Sequence, residues 1–597
     1  MRDKESEEEM KEESKTPLLF KEGSTLGRGG SDPSLIETHI SRVYLTPKFA
    51  YKQKKPVNLG FVDYTTLEKR IFFAKKELSL NRRCCSGIYI DLVELRQKKG
   101  RLFTGFKGGR LMDVFVRMRR INSDHFLSNI LKSGELDKKI DGILKKAAKR
   151  IYLFHKNART SKRISKFGGY GVYRANWDDN YETIKEIWTQ KINKSDAFFD
   201  GKKTPLLFKK GSLALPDGMV ASYSSFLSSP LFSEFISLRA EGGFVRDVHG
   251  DLRMEHIAVL DPRRVNGICL MDCVEFDERY RCQDIYLDVA FLLMDFEFNG
   301  YFYESVLFFG YYKNCFNYLK SIAPFGRYEP SVIPFFKAYR AIVRCKISLL
   351  SSGEDAPLKA LKYFNLAAFY LALAQKRVVI LNCGLSGSGK SSLSRLLSEW
   401  FYARVISTDE IRQNLYGSAD KSVKYSADAN IKVYENLLKE GLEEFKKGGN
   451  VIFDATFLKR SHREKIISSF NKKDCIFIFV YSKIYDEKEE IILKRLADRF
   501  DGANAGFAGE GAETATDDFT GRDAGKTGGL TDYSEADSAV YFNQKKYFEE
   551  PSEKELEQLA AVAGTALFAQ TDAALELKDR FNGLMKTIIA KDVTGGL

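Results

Sequence analysis

From residue 384 to 391 the chain reads G-L-S-G-S-G-K-S, which fills every fixed position of the spacing G-x-x-x-x-G-K-[ST]. Gly384, Gly387 and Gly389, with Ser386 and Ser388 between them, let backbone N–H groups turn inward around phosphate oxygens. Lys390 would reach the β- and γ-phosphates of a nucleoside triphosphate such as ATP. Ser391 would offer its hydroxyl to Mg²⁺, and Ser392 continues into a helix whose positive end faces the anion. The apolar run K-R-V-V-I-L-N-C (376–383) ahead of the loop predicts a strand, so the order is strand, glycine loop, helix.

Three later stretches carry groups that phosphoryl transfer needs. In R-V-I-S-T-D-E-I-R (404–412) a strand is expected to end at Ile406, and Asp409 and Arg412 stand three apart on one helix face. Asp409 would accept the proton of an attacking hydroxyl, and Arg412 would hold an anionic group. V-I-F-D-A-T-F (451–457) predicts a strand ending in Asp454, placed to bind the Mg²⁺ shell through water, with Arg463 on a following helix. L-K-R-L-A-D-R (493–499) supplies Arg495 and Arg499, whose charges suit a lid closing over the transferred group. The non-catalytic alternatives are an N-cap Asp with a surface Arg, and an ordinary basic helix face.

A second centre is suggested upstream. V-H-G-D-L-R-M-E-H (248–256) matches a phosphotransferase loop of the form H-x-D-x-x-x-x-N, except that His256 stands where Asn is expected. Asp251 takes the position of the base. Imidazole nitrogen is a poorer ligand than an amide oxygen for the hard Mg²⁺ ion. Three outcomes are open: one metal held by Asp272 suffices, Glu255 reaches in as a substitute, or the domain binds without turnover.

The elements that must position these groups follow from periodicity. Alternation in R-V-Y-L-T and F-A-Y-K-Q-K, with Pro47 between them, predicts a hairpin. Residues 67–83 predict a helix with Leu67, Ile71, Ala74 and Leu78 inward. Strands are expected near 88–95, 113–119 and 268–276, and helices through 125–245 and 284–375, where Tyr363–Leu373 reads as a buried helix. Helices at 553–563 and 573–590 and a strand at 566–571 are expected to close the chain.

The composition is that of a large globular protein. The 597 residues exceed one core, and 44% are hydrophobic and 13% aromatic, enough for full-sized cores. The net charge of +14 suits anionic ligands, nucleotides or RNA among them, though a lysine-rich surface without special partners gives the same number. Nine cysteines without a C-x-x-C pair point to reduced thiols in the cytoplasm rather than to zinc or a disulfide framework. The charged start M-R-D-K-E-S-E-E-E is no signal peptide, and no run approaches the ~18 apolar residues of a membrane span.

The domains expected are a disordered tail (1–35), a first folded part (36–375) and a second (376–597), with a Gly/Ala/Thr/Asp-rich flexible insertion at 501–531. The Gly-rich 23–30 lacks a preceding strand and reads as linker. T-P-L-L-F-K-E-G-S (16–24) recurs as T-P-L-L-F-K-K-G-S (204–212), a repeat for which the sequence offers no physical reason.

Taken together, G-L-S-G-S-G-K-S-S, S-T-D-E-I-R, V-I-F-D-A-T-F with Arg463, R-L-A-D-R and Y-S-E-A-D-S-A-V-Y resemble the P-loop kinases related to polynucleotide 5′-hydroxyl kinase and zeta-toxin-like kinases, over about 376–590. The glycine-rich 501–531 departs from that pattern. H-G-D with D-C-V-E-F (272–276) resembles the aminoglycoside phosphotransferase-like kinases, in which a later Asp, here Asp272, chelates Mg²⁺. The segments E-T-H-I-S-R-V-Y-L, E-L-S-L-N-R-R, V-R-M-R-R and C-Q-D-I-Y-L-D-V-A-F-L-L-M-D extend the likeness to the fusion family that joins both domains. The resemblance implies an α+β protein-kinase-like fold followed by an α/β P-loop fold with a parallel sheet. It also implies ATP and Mg²⁺ as cofactors and transfer to a hydroxyl acceptor that the sequence does not name, nor does it give the oligomeric state. In the kinase-like fold a strand Lys grips the phosphates; Lys52 is favoured over Lys54, which shares its strand face, and Glu77 or Glu68 would orient it. Surface lysines on an edge strand are the alternative. A small-molecule kinase is the leading reading. A polynucleotide 5′-hydroxyl kinase, or a pseudokinase gating a P-loop ATPase, are the others.

Overall fold

The computed structural model describes residues 34–60, 62–104, 108–191, 217–317, 329–351, 353, 355–470, 475–505, 538–552, 555 and 566–590. Both copies of the T-P-L-L-F-K repeat, the 23–30 linker, nearly all of the expected helix at 553–563 and residues 506–531 of the expected insertion lie outside them. The chain divides into two compact units, one formed by residues up to Val172 with Ser237–Leu292, the other by Tyr173–Ile236 with Leu293 onward.

The first unit is built on six strands: β1 (Ser34–Glu37), β2 (Ser41–Leu45), β3 (Phe49–Lys54), β4 (Tyr89–Lys98), β5 (Arg101–Thr104) and β6 (Arg110–Arg119). They form one sheet of order β1-β2-β3-β6-β4-β5. Every pairing is antiparallel. Helix α1 (Leu67–Cys85) packs on this sheet. It starts where the Thr66 side chain accepts the Lys69 N–H, has Glu68 in its first turn, and ends on Arg82 and Arg83, all in the sense the helix dipole favours. The buried stripe is Ala74, Glu77, Asn81 and Cys84 with Leu80, rotated from the Leu67/Ile71/Ala74/Leu78 stripe expected from apolar spacing. The rotation brings two polar side chains inward, and both are used.

Below the sheet lie α2 (Asp137–Asn157) and four three-residue strands, β7 (Val245–Asp247), β8 (Ile257–Val259), β9 (Ile268–Leu270) and β10 (Cys282–Asp284), paired β7 with β10 and β8 with β9. The strand expected over 268–276 stops at Leu270. The reason is local: Asp272 has φ +63°, a left-handed conformation that no strand accommodates and that Asp tolerates better than most residues.

The second unit contains the apolar helices α4 (Phe302–Asn317), α5 (Glu329–Leu350) and α6 (Ala356–Gln375), the last buried along nearly all its length. Its sheet has five strands, β11 (Arg377–Cys383), β12 (Ala403–Ser407), β13 (Asn450–Asp454), β14 (Cys475–Lys483) and β15 (Ala566–Asp572), in the order β12-β13-β11-β14-β15. All four pairings are parallel. Continuous apolar runs such as Cys475–Tyr481 are what a sheet covered on both faces requires. The covering helices include α7 (Lys390–Phe401), α8 (Thr408–Tyr416), α9 (Ala427–Lys446) and α10 (Arg460–Ser468). After them come α11 (Glu489–Ala505), α12 (Ser538–Tyr547) and α13 (Leu577–Ala590). Helix α11 runs five residues into the segment expected to be flexible, and α13 begins at Leu577 rather than near 573. The expected architecture, an α+β protein-kinase-like fold followed by an α/β fold with a parallel sheet, is the one observed.

Candidate active sites

The loop between β11 and α7 is shaped by its glycines. Gly387 and Gly389 have φ of +77° and +74°, conformations in which an L side chain is strained. Space excludes one as well: a Cβ on Gly387 would lie 2.8 Å from Ile492 Cγ2, and one on Gly389 would lie 2.5 Å from Arg580 Nη1. The Ser388 Oγ and Asn382 Oδ1 atoms are buried without hydrogen-bond partners. Lys390 Nζ folds back onto the Leu385 carbonyl at 2.9 Å, and the Ser386 N–H donates to Gln544 Oε1 at 3.0 Å. A cradle whose amide is met by a neutral side-chain oxygen, with its lysine on its own backbone and polar atoms left over, fits the phosphate chain of ATP.

Strand register gathers the other groups at the same end of the sheet. Asn382, the last residue but one of β11, pairs with Asp454, and Ser407 at the end of β12 pairs with Asp454 from the other side. Asp454, buried, therefore closes β13, between β12 and β11, at the carboxyl edge, where ligands of open parallel sheets bind. Ser391 and Ser392 are exposed at the start of α7. Ser391 and Asp454 offer oxygen only, the donor chemistry Mg²⁺ prefers. Asp409 stands half-buried in the first turn of α8, where the Ser407 side chain caps the helix by accepting its N–H.

The arginines are placed differently from the sequence expectation. Arg412, expected to hold an anionic group or to lie on the surface, is buried; it donates to the Lys424 carbonyl at 2.7 Å and lies 4.6 Å from the Tyr425 ring centre. Arg463 is fully buried in a two-pronged ion pair with Glu555 at 2.7 and 2.8 Å, which makes it a brace for the strand-to-helix loop. Arg495 donates to the carbonyls of Ala573 and Ala574 at 2.5 and 3.3 Å, so it stands beside the turn after β15 rather than over the loop as a lid residue. The Arg499 side chain lies outside the described residues. Arg580 of α13 had no sequence signal and is found against Gly389.

In the first unit, β3 presents two lysines. Lys52 Nζ bridges Glu77 at 2.9 Å and Asp272 at 2.5 Å, while Lys54, deeper, bonds Glu77 at 2.8 Å and also pairs with Glu275. Glu68 is exposed. Burial alone would raise the Asp272 carboxyl, but Lys52 and then His256 beside it hold it below the usual range. Asn81 accepts the Cys273 N–H at 2.9 Å and Tyr89 Oη accepts the Asp272 N–H at 3.2 Å, which fixes the strained turn that presents Asp272.

The H-G-D loop is held from behind by Asp288, in the first turn of α3 (Ile285–Phe298), which accepts the N–H groups of His249 and Gly250 at 3.2 and 2.9 Å. Asp251 receives a bidentate contact from Arg253 at 2.8 and 3.0 Å. Glu255 is ion-paired to the same guanidinium, which engages the group expected to stand in for the missing Asn. His256 lies between the two acids, with Nδ1 2.8 Å from the Asp251 carbonyl oxygen and Nε2 3.9 Å from Asp272 Oδ2. The single oxygen donor Asp272 fits a Mg²⁺ ion, whereas the nitrogen of His256 does not improve the fit. Asn81, Glu275, Arg253 and Asp288 were not singled out from sequence. All four stood inside quoted segments, and none carried a local signal of the partner it holds.

All nine cysteines are free. Among the described residues no helix is long and apolar enough to cross a membrane.

Comparison with known proteins agrees with this build. Residues 379–510 match the family model described as an AAA domain. Uncharacterized proteins of Mycobacterium tuberculosis and Mycobacterium bovis are 28% identical over 433 residues, spanning 70% of this chain and 78% of theirs. Solved structures similar to parts of the chain include a choline/ethanolamine kinase family protein from Mesorhizobium loti, 12% identical with a TM-score of 0.33, covering 66% of this chain and 100% of that one. They also include a gluconokinase from Sinorhizobium meliloti, 15% identical with a TM-score of 0.22, covering 36% of this chain and 91% of that one. A streptomycin–ATP complex of the aminoglycoside phosphotransferase APH(2″)-IIa is 13% identical with a TM-score of 0.27 and covers 56% of this chain and 90% of that one. The stretch that matches the family model, residues 379–510, contains the glycine loop, Asp409 and Asp454.

Proposed function

We propose that the chain is an ATP- and Mg²⁺-dependent phosphotransferase that moves the γ-phosphoryl group to a hydroxyl of a small molecule. Its main centre lies in residues 376–597. Residues 36–375 carry a second nucleotide site with an altered metal position. The observation that supports this most is the loop 384–391: left-handed glycines, unpartnered buried polar atoms and a helix start stand at the same sheet edge as Asp454 and Asp409.

In this reading the loop amides and Lys390 bind the β- and γ-phosphates. Ser391 and Asp454 would hold Mg²⁺, which when bound neutralises phosphate charge. Asp409 takes the proton of the acceptor hydroxyl as its oxygen attacks phosphorus, and the bond to the bridging oxygen of ADP breaks. In the first unit Lys52, oriented by Glu77, would hold a nucleotide, with Asp251 as base and Asp272 as metal ligand. Asp251 must first leave Arg253.

An acceptor screen with γ-labelled ATP, run on the intact chain, Lys390→Ala and Asp251→Ala, tests the proposal. Labelled small-molecule product that is lost in Lys390→Ala and kept in Asp251→Ala supports it. Loss only in Asp251→Ala would move the main centre to the first unit. Label appearing only on polynucleotide 5′-ends would replace the small-molecule acceptor.

A further inference from the structure

Arg580 is 3% exposed, sits against the phosphate loop and has no carboxylate partner among the described residues. Its one hydrogen bond there runs from Nη2 to Ser482 Oγ at 3.0 Å, and Nε is buried with no partner at all. Nη1 lies 2.5 Å from where a Cβ on Gly389 would be, so the guanidinium is packed directly on the loop's last glycine. Burial, and after it the nearby charge of Arg495, draw the Arg580 guanidinium down to about 10, so it is still charged at neutral pH. A buried charge is normally paired with an opposite one. Here the groups in contact are a hydroxyl and a glycine backbone, Arg495 is nearby, and the acid that acts on the guanidinium from a distance, Asp572, is itself ion-paired to Lys488 at 2.6 Å, so Arg580 has no anion in contact with it among the described residues.

Resting on the reading of 384–391 as a triphosphate cradle, we infer that Arg580 is a phosphate-binding residue of that site, its guanidinium behind Gly389 supplying permanent counter-charge to the nucleotide's phosphate chain. The helix that carries it is anchored elsewhere in the same unit. Lys578 pairs with Glu304 at 2.9 Å, and Asn582 Oδ1 accepts the Tyr303 N–H at 2.9 Å. Arg580 is therefore held at the loop by α13 docking on α4 and does not depend on closure of a lid. The site so completed takes polyphosphates, and its preference for a triphosphate over a monophosphate depends on Arg580.

The test measures binding of ATP, ADP, AMP and inorganic tripolyphosphate by calorimetry, on full-length protein carrying Lys52→Ala to silence the first unit. In that background the unaltered loop is compared with Lys390→Ala, Arg580→Gln and Arg580→Lys. Arg580→Gln is expected to weaken ATP and tripolyphosphate roughly tenfold or more, and AMP far less. Arg580→Lys restores most of the ATP-to-AMP ratio. An unchanged ratio in Arg580→Gln, or an equal loss for all three nucleotides that Arg580→Lys does not rescue, overturns the inference while leaving the cradle intact. Failure of the unaltered loop to bind tripolyphosphate, or full binding by Lys390→Ala, overturns the cradle and the inference with it. Where Arg580→Gln does not fold, the ¹⁵N–Hε resonance of Arg580, assigned with Arg580→Lys, is followed instead: a shift on adding tripolyphosphate supports the inference and no shift overturns it.

Discussion

His249, fully buried beside Asp251 in the first unit's loop, should remain neutral far below the ordinary histidine range. Its Nε2 lies 2.8 Å from the Met271 carbonyl oxygen and must donate there, and its Nδ1 accepts the Asp251 N–H at 3.3 Å. Both bonds are made by one neutral tautomer. A second proton on Nδ1 would break the contact to Asp251 and place a charge where water does not reach. Burial, opposed in part by Asp288, pushes the imidazole down to about 4 from an ordinary 6.5. Between these two values the unfolded chain binds more protons than the folded one, so stability rises with pH. The contribution is complete above about 6.5 and is lost as the pH falls toward 4. At 1.36 kcal/mol per pH unit the full effect is roughly 3 kcal/mol, of which about 2 kcal/mol is lost by pH 5. The depressed carboxyl of Asp272 acts below this window, since its stabilising effect is lost only as the pH falls through the carboxylate range. Histidine ring resonances followed by NMR from pH 8 to 4.5 give the first readout, and His249→Gln, which keeps a donor for the Met271 carbonyl, gives the second. The wild type should lose about 2 kcal/mol more than His249→Gln between pH 7 and 5. A His249 ring that titrates near 6.5, or equal pH dependence in the two proteins, would refute the argument.

Other perturbations have definite outcomes. Lys390→Ala should lower any transfer by the C-terminal centre ~10²-fold or more while leaving the melting temperature close to that of the wild type. Gly387→Ala places a side chain at φ +77° and 2.8 Å from Ile492; it should cost ~1–2 kcal/mol in backbone strain alone and weaken nucleotide binding, read by thermal melts and calorimetry. Arg463→Met strands Glu555 in the interior and should cost about 3–5 kcal/mol, whereas Arg463→Met with Glu555→Leu should recover much of it. His256→Asn returns an oxygen ligand to the first unit and should tighten Mg²⁺-dependent ATP binding there about tenfold, measured in a Lys390→Ala background; no change would mean that Asp272 alone sets metal affinity.

The sequence made the phosphate loop and the parallel-sheet strands around it legible because both are local. A glycine spacing encodes left-handed turns, and an unbroken apolar run encodes a strand covered on both faces. The acid positions Asp251, Asp272, Asp409 and Asp454 were visible for the same reason, since each sits at a strand end or loop with recognisable neighbours. What depended on distant parts of the chain was not visible. Arg463 reads only as an arginine on the helix after Asp454 until Glu555, 92 residues away, is seen to bind it. The inward stripe of α1 was misjudged by one column because Glu77 and Asn81 are buried for the sake of Lys52, Lys54 and Cys273, none of them near in sequence. Arg580 could not have been found without its neighbours, because only the loop beside it distinguishes it from any arginine on a helix.

The central claim is that the loop around Gly387 receives a triphosphate. A crystal structure of the full-length protein with Mg²⁺ and a non-hydrolysable ATP analogue tests it most directly. The account predicts phosphates within hydrogen-bond distance of the 386–391 amides, with Gln544 displaced from Ser386 and Lys390 Nζ moved from the Leu385 carbonyl onto phosphate oxygen. An analogue bound only beside Lys52 and Asp272, with Gln544 and Lys390 still in place, would contradict it.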